Sequence, residues 1–148
     1  MTRWNRRILL PTMLAALSAT IGCLPHMPGT PDVQPSLEDT AWVLQSLGQP
    51  GNLTPALENI EVTLVFSGDS QAGGNGGCNA YGGSYQSDTD GSLSFTDLFH
   101  TEMYCMEPGV MDQEQLFLDA LLAAERYEVV DGTLHITGDG MVLALSQN

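Results

Sequence analysis

Cys78 and Cys105 are the residues best equipped for chemistry, with His100, His135 and Asp97 elsewhere in the same half of the chain. A thiolate served by a histidine base, itself oriented by a carboxylate, would make a nucleophile. Cys78, Cys105 and His100 also supply zinc-ligand types, but no fourth ligand stands out and close Cys-x-x-Cys spacing is missing. Nothing in the spacing brings these groups together. His26 falls in a proline-rich stretch, and His135 in a strand-like run where histidine is more often a surface or packing residue. Neither catalytic residues nor metal ligands are assigned, and no cofactor is expected.

Gly73 to Tyr85 holds six glycines in thirteen residues, with Cys78 at the joint between a loop and a strand. A phosphate cradle would need a lysine, and the chain has none. A dinucleotide fingerprint would need a third glycine where Asn79 stands, and a helix where a strand follows. A calcium-binding glycine repeat would need an aspartate and more than one unit. Glycines this dense instead suit a tight turn and close backbone approach. Asp88 and Asp90 lack the rest of a calcium loop and read as a solvated turn.

The N-terminus sets the compartment. Arg3, Arg6 and Arg7 precede a mostly apolar run from Ile8 to Ile21, too short to span a bilayer, so residues 1–22 read as a secretory signal peptide. Gly22-Cys23 resembles a bacterial lipobox, with Cys23 as the lipidated first mature residue and Thr20 where leucine is usual. Arg6-Arg7 is also a partial twin-arginine match. Residues 23–37, with Pro25, Pro28, Pro31 and Pro35, form a tether able to reach roughly 40 Å in polyproline geometry. After cleavage, Arg126 faces 18 acidic residues, a formal charge of −17 that repels nucleic acid and anionic head groups. Export favours disulfides over free thiols, and lipid on Cys23 leaves Cys78 and Cys105 as an even pair. The disulfide is the preferred reading. Asn52-Leu53-Thr54 matches a glycosylation sequon by pattern alone.

The remaining chain, 38–148, is one domain in which most segments have strand period. Trp42 and Leu44 share a face, as do Ile60, Val62, Leu64 and Phe66, and Tyr81, Gly83 and Tyr85. Ser87 to Gly91 turns into Ser92–Phe95. Asp112 is the expected N-cap of a helix reaching Glu125, with Phe117, Leu118, Leu121 and Leu122 on its stripe and Gln113, Glu114 and Asp119 off it. Three short strands close the chain, joined by turns at Asp131-Gly132 and Gly138-Asp139-Gly140. The class is α+β, with one helix packed over an antiparallel sheet.

Trp42, Gly77-Cys78-Asn79-Ala80-Tyr81 with Tyr85, Thr101-x-Met103-x-Cys105, and Glu114-x-x-Phe117-x-x-x-Leu121 with Tyr127 and Leu134 resemble the META domain, the family of the bacterial heat-shock protein HslJ and many exported lipoproteins. Tyr104 departs from the small residue common before the second cysteine. The resemblance implies an open, cracked antiparallel β-barrel interrupted by one helix, and no established reaction. The expected function is a non-catalytic cell-envelope lipoprotein, linked to envelope stress tolerance or to assembly of a partner. The alternative is a carrier or pilotin-like module holding an apolar ligand or lipid in the barrel cleft. The expected partners are the membrane, through lipid on Cys23, and an envelope protein or apolar ligand. The expected location is exported and membrane-anchored, in the periplasm, at the outer membrane or on the cell surface.

Overall fold

The computed structural model describes residues 33–148. The expected signal peptide, Cys23, His26 and most of the tether lie outside the described residues. Residues 34–37, assigned above to the tether, pack on the domain. Gln34 donates its N–H to Thr89 O and accepts from Val129 N–H, both at 2.9 Å, and Leu37 is 1% exposed. Ordered contacts therefore begin ahead of Glu38.

Alternating apolar residues build most of the sheet. β1 (Thr40–Gln49) buries Trp42, Leu44 and Leu47, and β3 (Thr63–Phe66) buries Leu64 and Phe66. β5 (Ala80–Ser87) turns Tyr81, Gly83 and Tyr85 inward, and β6 (Leu93–His100) buries Leu93 and Phe95. Two strands carry no such period. β2 (Asn52–Pro55) is exposed throughout and pairs with β1 across the Pro50-Gly51 turn. β4 (Gln71–Asn75) runs through the first glycines of the rich stretch, which therefore contribute a strand and not just a turn. β7 (Arg126–Val130), β8 (Thr133–Gly138) and β9 (Met141–Gln147) form the closing hairpins. Their Asp-Gly turns carry positive φ at Asp131 (50°), Gly132 (77°), Asp139 (45°) and Gly140 (72°), the geometry of type I′ loops that match strand twist.

The strands run antiparallel in the order β6-β5-β4-β3-β1-β9-β8-β7, with β2 attached to β1. The sheet is strongly curled into a half-barrel. Bulges sharpen the curl in β1 between Leu44 and Ser46 and in β6, where Asp97 takes φ 54°. The ends approach at a Ser92–Arg126 bridge and at Leu93 N–H donating to Glu125 O at 3.0 Å. Helix α1 (Val110–Leu122) links β6 to β7 and packs on β6, β8 and β9, so it spans the opening left by the curl.

The helix begins differently from expectation. Gly109, at φ 84°, precedes it without any side-chain cap, and Asp112 lies inside the first turn. Phe117, Leu118 and Leu121 are buried as expected, but Leu122 is 57% exposed and Glu125 lies beyond the helix. Gln113 and Glu114, placed off the stripe by periodicity, are buried.

Tyr81 packs edge-on against Phe117, with ring centroids 5.6 Å apart, and donates its hydroxyl to Thr63 O at 2.7 Å. Burial pushes its pKa well above the ordinary 10.0. The unfolded chain then loses this proton first, so stability present below pH 10 declines as pH rises past it. Thermal denaturation from pH 8 to about 11 is expected to show that decline, with a shallower slope in Tyr81→Phe. An unchanged slope would mean that other tyrosines carry it.

Candidate functional site

The polar residues singled out in sequence meet at one place beneath the N-terminal half of α1. Glu114 is 3% exposed and Asn79 2% exposed. Glu114 Oε2 accepts from Cys78 N–H at 2.9 Å and Asn79 N–H at 2.6 Å, while Oε1 accepts from Asn79 Nδ2 at 2.6 Å. Among the described residues no cationic side chain supplies these contacts, and the carboxylate is held by N–H donors. Asn79 Oδ1 in turn accepts from Thr101 Oγ1 and from Met103 N–H, both at 2.7 Å, and Nδ2 also donates to Met103 O at 3.1 Å. Asn79 therefore uses both ends of its amide, which fixes its orientation.

The loop from Gly76 to Asn79 has this shape because side chains are missing from it. A Cβ on Gly76 would stand 2.8 Å from Glu114 Oε2, and Gly77 takes φ 119° against Ile60. Asn75 Oδ1 accepts from Gly77 N–H at 2.7 Å, closing an Asx turn that aims the next N–H groups at the carboxylate. The Cys78–Cys105 disulfide, with Cα atoms 5.8 Å apart, ties the loop to the segment that carries Thr101 and Met103. The strands that bracket the glycine loop, the segment after β6 and the helix are thus joined through one buried centre.

Other sequence candidates are not gathered there. Trp42 and Tyr85 belong to the core, with Trp42 Nε1 donating to Thr40 Oγ1 at 2.8 Å and Tyr85 stacking edge-on to Phe66 at 4.8 Å. Met103 contributes its backbone, and its side chain points outward. Cys78 and Cys105 are bonded to each other, which removes the thiol from the nucleophile and zinc readings. His100 is exposed, with Nδ1 against Thr101 O at 2.8 Å, and Asp97 sits at the bulge. His135 pairs with Glu128 and Ala144 inside β8. Among the described residues no group of three or more His, Cys, Asp or Glu side chains converges in a way that could hold a metal ion.

The sequence did not expose the roles of Asn75, Thr63 and Gln113. Asn75-Gly76 was an available Asx-turn signal. Thr63, which accepts from Asn75 N–H through Oγ1 and from Tyr81 through its carbonyl, gave no local sign. Nor did Gln113, whose Oε1 accepts from Leu57 N–H at 2.8 Å.

The META domain family model matches residues 35–148. The chain belongs to the META domain family. An NMR structure of a protein from Burkholderia xenovorans is similar at 30% identity and a TM-score of 0.65, over 84% of this chain and 99% of that one. A crystal structure of a DUF4847 family protein from Bacteroides vulgatus shares the fold at 14% identity and a TM-score of 0.53, over 74% of this chain and 93% of that one. No curated protein matches the chain. In this META domain the residues Cys78, Asn79, Thr101, Met103, Cys105 and Glu114 form a clamp between elements, each engaged with another part of the chain, while Gly77 shapes the loop through its bond to Asn75.

Proposed function

We propose that this protein is a non-catalytic lipoprotein of the cell envelope, attached to a membrane through Cys23 and presenting its META domain to an envelope partner. Its role is linked to envelope stress tolerance or to assembly of that partner. The observation that carries the non-catalytic reading is the clamp, where the motif's polar groups bond to one another and its cysteines are joined. The basic n-region, short apolar run and Gly22-Cys23 support the anchor, and the prolines between Cys23 and Gln34 support display away from the surface.

Fractionation and mass spectrometry of the N-terminal peptide test the anchor. The parent is expected in the membrane fraction with acylated Cys23, and Cys23→Ser as an uncleaved or released, unacylated form. A Cys23→Ser variant that fractionates and migrates like the parent would overturn the attachment. Envelope stress is tested by deleting the gene and challenging cells with detergent and heat; restored tolerance from the parent but not from Cys23→Ser is the expected pattern.

A further inference from the structure

A groove of about 290 Å³ lies between the segment after β6 and α1. Met103 and Tyr104 line it from the segment, and Met111 and Leu118 line it from the helix. Met103 is 56% exposed and Tyr104 80% exposed, yet the backbone that carries them is tied down. Thr101 N–H donates to Ala80 O at 3.0 Å, Met103 N–H donates to Asn79 Oδ1 at 2.7 Å, and Cys105 is bonded to Cys78. The clamp thus holds two large side chains out in solvent, which lowers the ordering cost of a contact made through them. Acidic groups share the groove. Glu102 and Glu114 line it, as does Gln115, whose Nε2 donates to Asp119 Oδ1 at 2.9 Å. No lysine or arginine lines it, and His100 is the one basic residue type that does. Arg126, the one Lys or Arg beyond residue 7, donates to Asp90 O at 2.6 Å, towards the other end of β6.

We propose that this groove docks a basic segment of a partner protein, which seats an apolar side chain among Met103, Tyr104, Met111 and Leu118. Lys or Arg beside that side chain meets Glu102, Asp119 and the face of the Tyr104 ring. A cavity of about 150 Å³ takes benzene, so the groove accepts one or two partner side chains and not a whole helix. Methionine and tyrosine suit such a seat, because both cover apolar area and adapt to what they meet.

Charge disfavours the other occupants. Arg126 against 18 acidic residues repels nucleic acid and anionic head groups. In a two-fold pair of this chain the carboxylates around the groove would face their own copies. Residues 24–32 carry Asp32 and no lysine or arginine, and they lead into the domain at Gln34, beside Thr89. That is the Leu93 end of β6, whereas the groove lies at the His100 end, roughly 23 Å along the strand. The proposal rests on reading the domain as a partner-binding module. Acylation of Cys23 is measured separately, so either can fail alone.

The test is a fluorescence-anisotropy titration of the purified, disulfide-bonded protein with labelled peptide amides: Arg-Leu-Lys-Phe-Arg, Glu-Leu-Glu-Phe-Glu and Arg-Ser-Lys-Ser-Arg. The first is expected to bind at least about tenfold tighter than either of the others, and added salt should weaken it. Tyr104→Ala should weaken that binding at least about tenfold, and Glu102→Gln about threefold. Both side chains are exposed, so neither variant should lower the melting temperature. Val130→Ala, at an exposed position of β7 away from the groove, should leave binding unchanged. Equal binding of the first and third peptides would overturn the apolar seat, and equal binding of the first and second would overturn the charge match. No binding of the first peptide, or binding that Tyr104→Ala leaves intact, would overturn the groove as a docking site. Attachment to phosphatidylcholine vesicles that Tyr104→Ala abolishes would assign the surface to a membrane, and a sedimenting dimer that it abolishes would assign it to a second copy. Either result would overturn the basic partner.

Discussion

Glu114→Ala is expected to destabilise the domain by about 3–5 kcal/mol, a large part of a typical total of about 5–15 kcal/mol. The substitution leaves Cys78 N–H, Asn79 N–H and one hydrogen of Asn79 Nδ2 without their acceptor in a buried place. Glu114→Gln separates hydrogen bonding from bulk. Its carbonyl can serve the two backbone donors, but its NH2 must then face Asn79 Nδ2. Asn79 cannot turn over to compensate, because Thr101 Oγ1 and Met103 N–H hold Oδ1. A loss of about 1–3 kcal/mol is expected from that donor–donor meeting. In the double variant Glu114→Gln with Asn79→Asp the new carboxylate accepts from the glutamine NH2, so coupling of about 1 kcal/mol or more is expected in a cycle. Urea denaturation with a common m-value measures all four species. Additive losses would show that the Glu114 and Asn79 side chains are not coupled, leaving Glu114 to act through the backbone N–H groups of Cys78 and Asn79.

The buried centre was half legible in the sequence. Glycine density around Gly76 and Gly77 pointed to close backbone approach, and the structure brings the Glu114 carboxylate against Gly76. What approaches could not be read, because the partners lie 35 residues apart and neither lies in a local pattern that mentions the other. Helical period placed Glu114 and Gln113 off the apolar stripe, since it sorts residues by hydropathy and both are polar. Their burial is set by tertiary donors, which hydropathy does not encode. Strands were legible where one face is apolar, as with Leu64 and Phe66, or where an Asp-Gly turn fixes the hairpin. β2 and β4 had neither signal: one is exposed throughout, and the other is mainly polar and glycine. The helix start moved to Gly109 because its left-handed backbone lets the chain turn into the helix without a capping side chain.

Reducing the Cys78–Cys105 bond is expected to cost about 3.5 kcal/mol, from the entropy regained by an unfolded chain freed of a loop spanning 27 residues. At about 4 °C per kcal/mol for a domain of this size, the melting temperature should fall by roughly 15 °C. The native contacts around the bond are expected to survive, because Glu114 and Asn79 hold the two segments independently of it. Cys78→Ala with Cys105→Ala should therefore fold, melt lower and keep the methyl spectrum of the core. Adding Glu114→Gln removes part of the second tie, and the combined loss should exceed the sum of the separate losses if both restrain the same opening of the 76–79 loop. Intact mass of the unreduced protein should lie two hydrogens below the reduced form, with neither Cys78 nor Cys105 alkylated before reduction. Two thiols alkylated in the native protein, or a melting temperature unmoved by reduction, would remove the disulfide from the clamp and leave Glu114 and Asn79 to hold it alone.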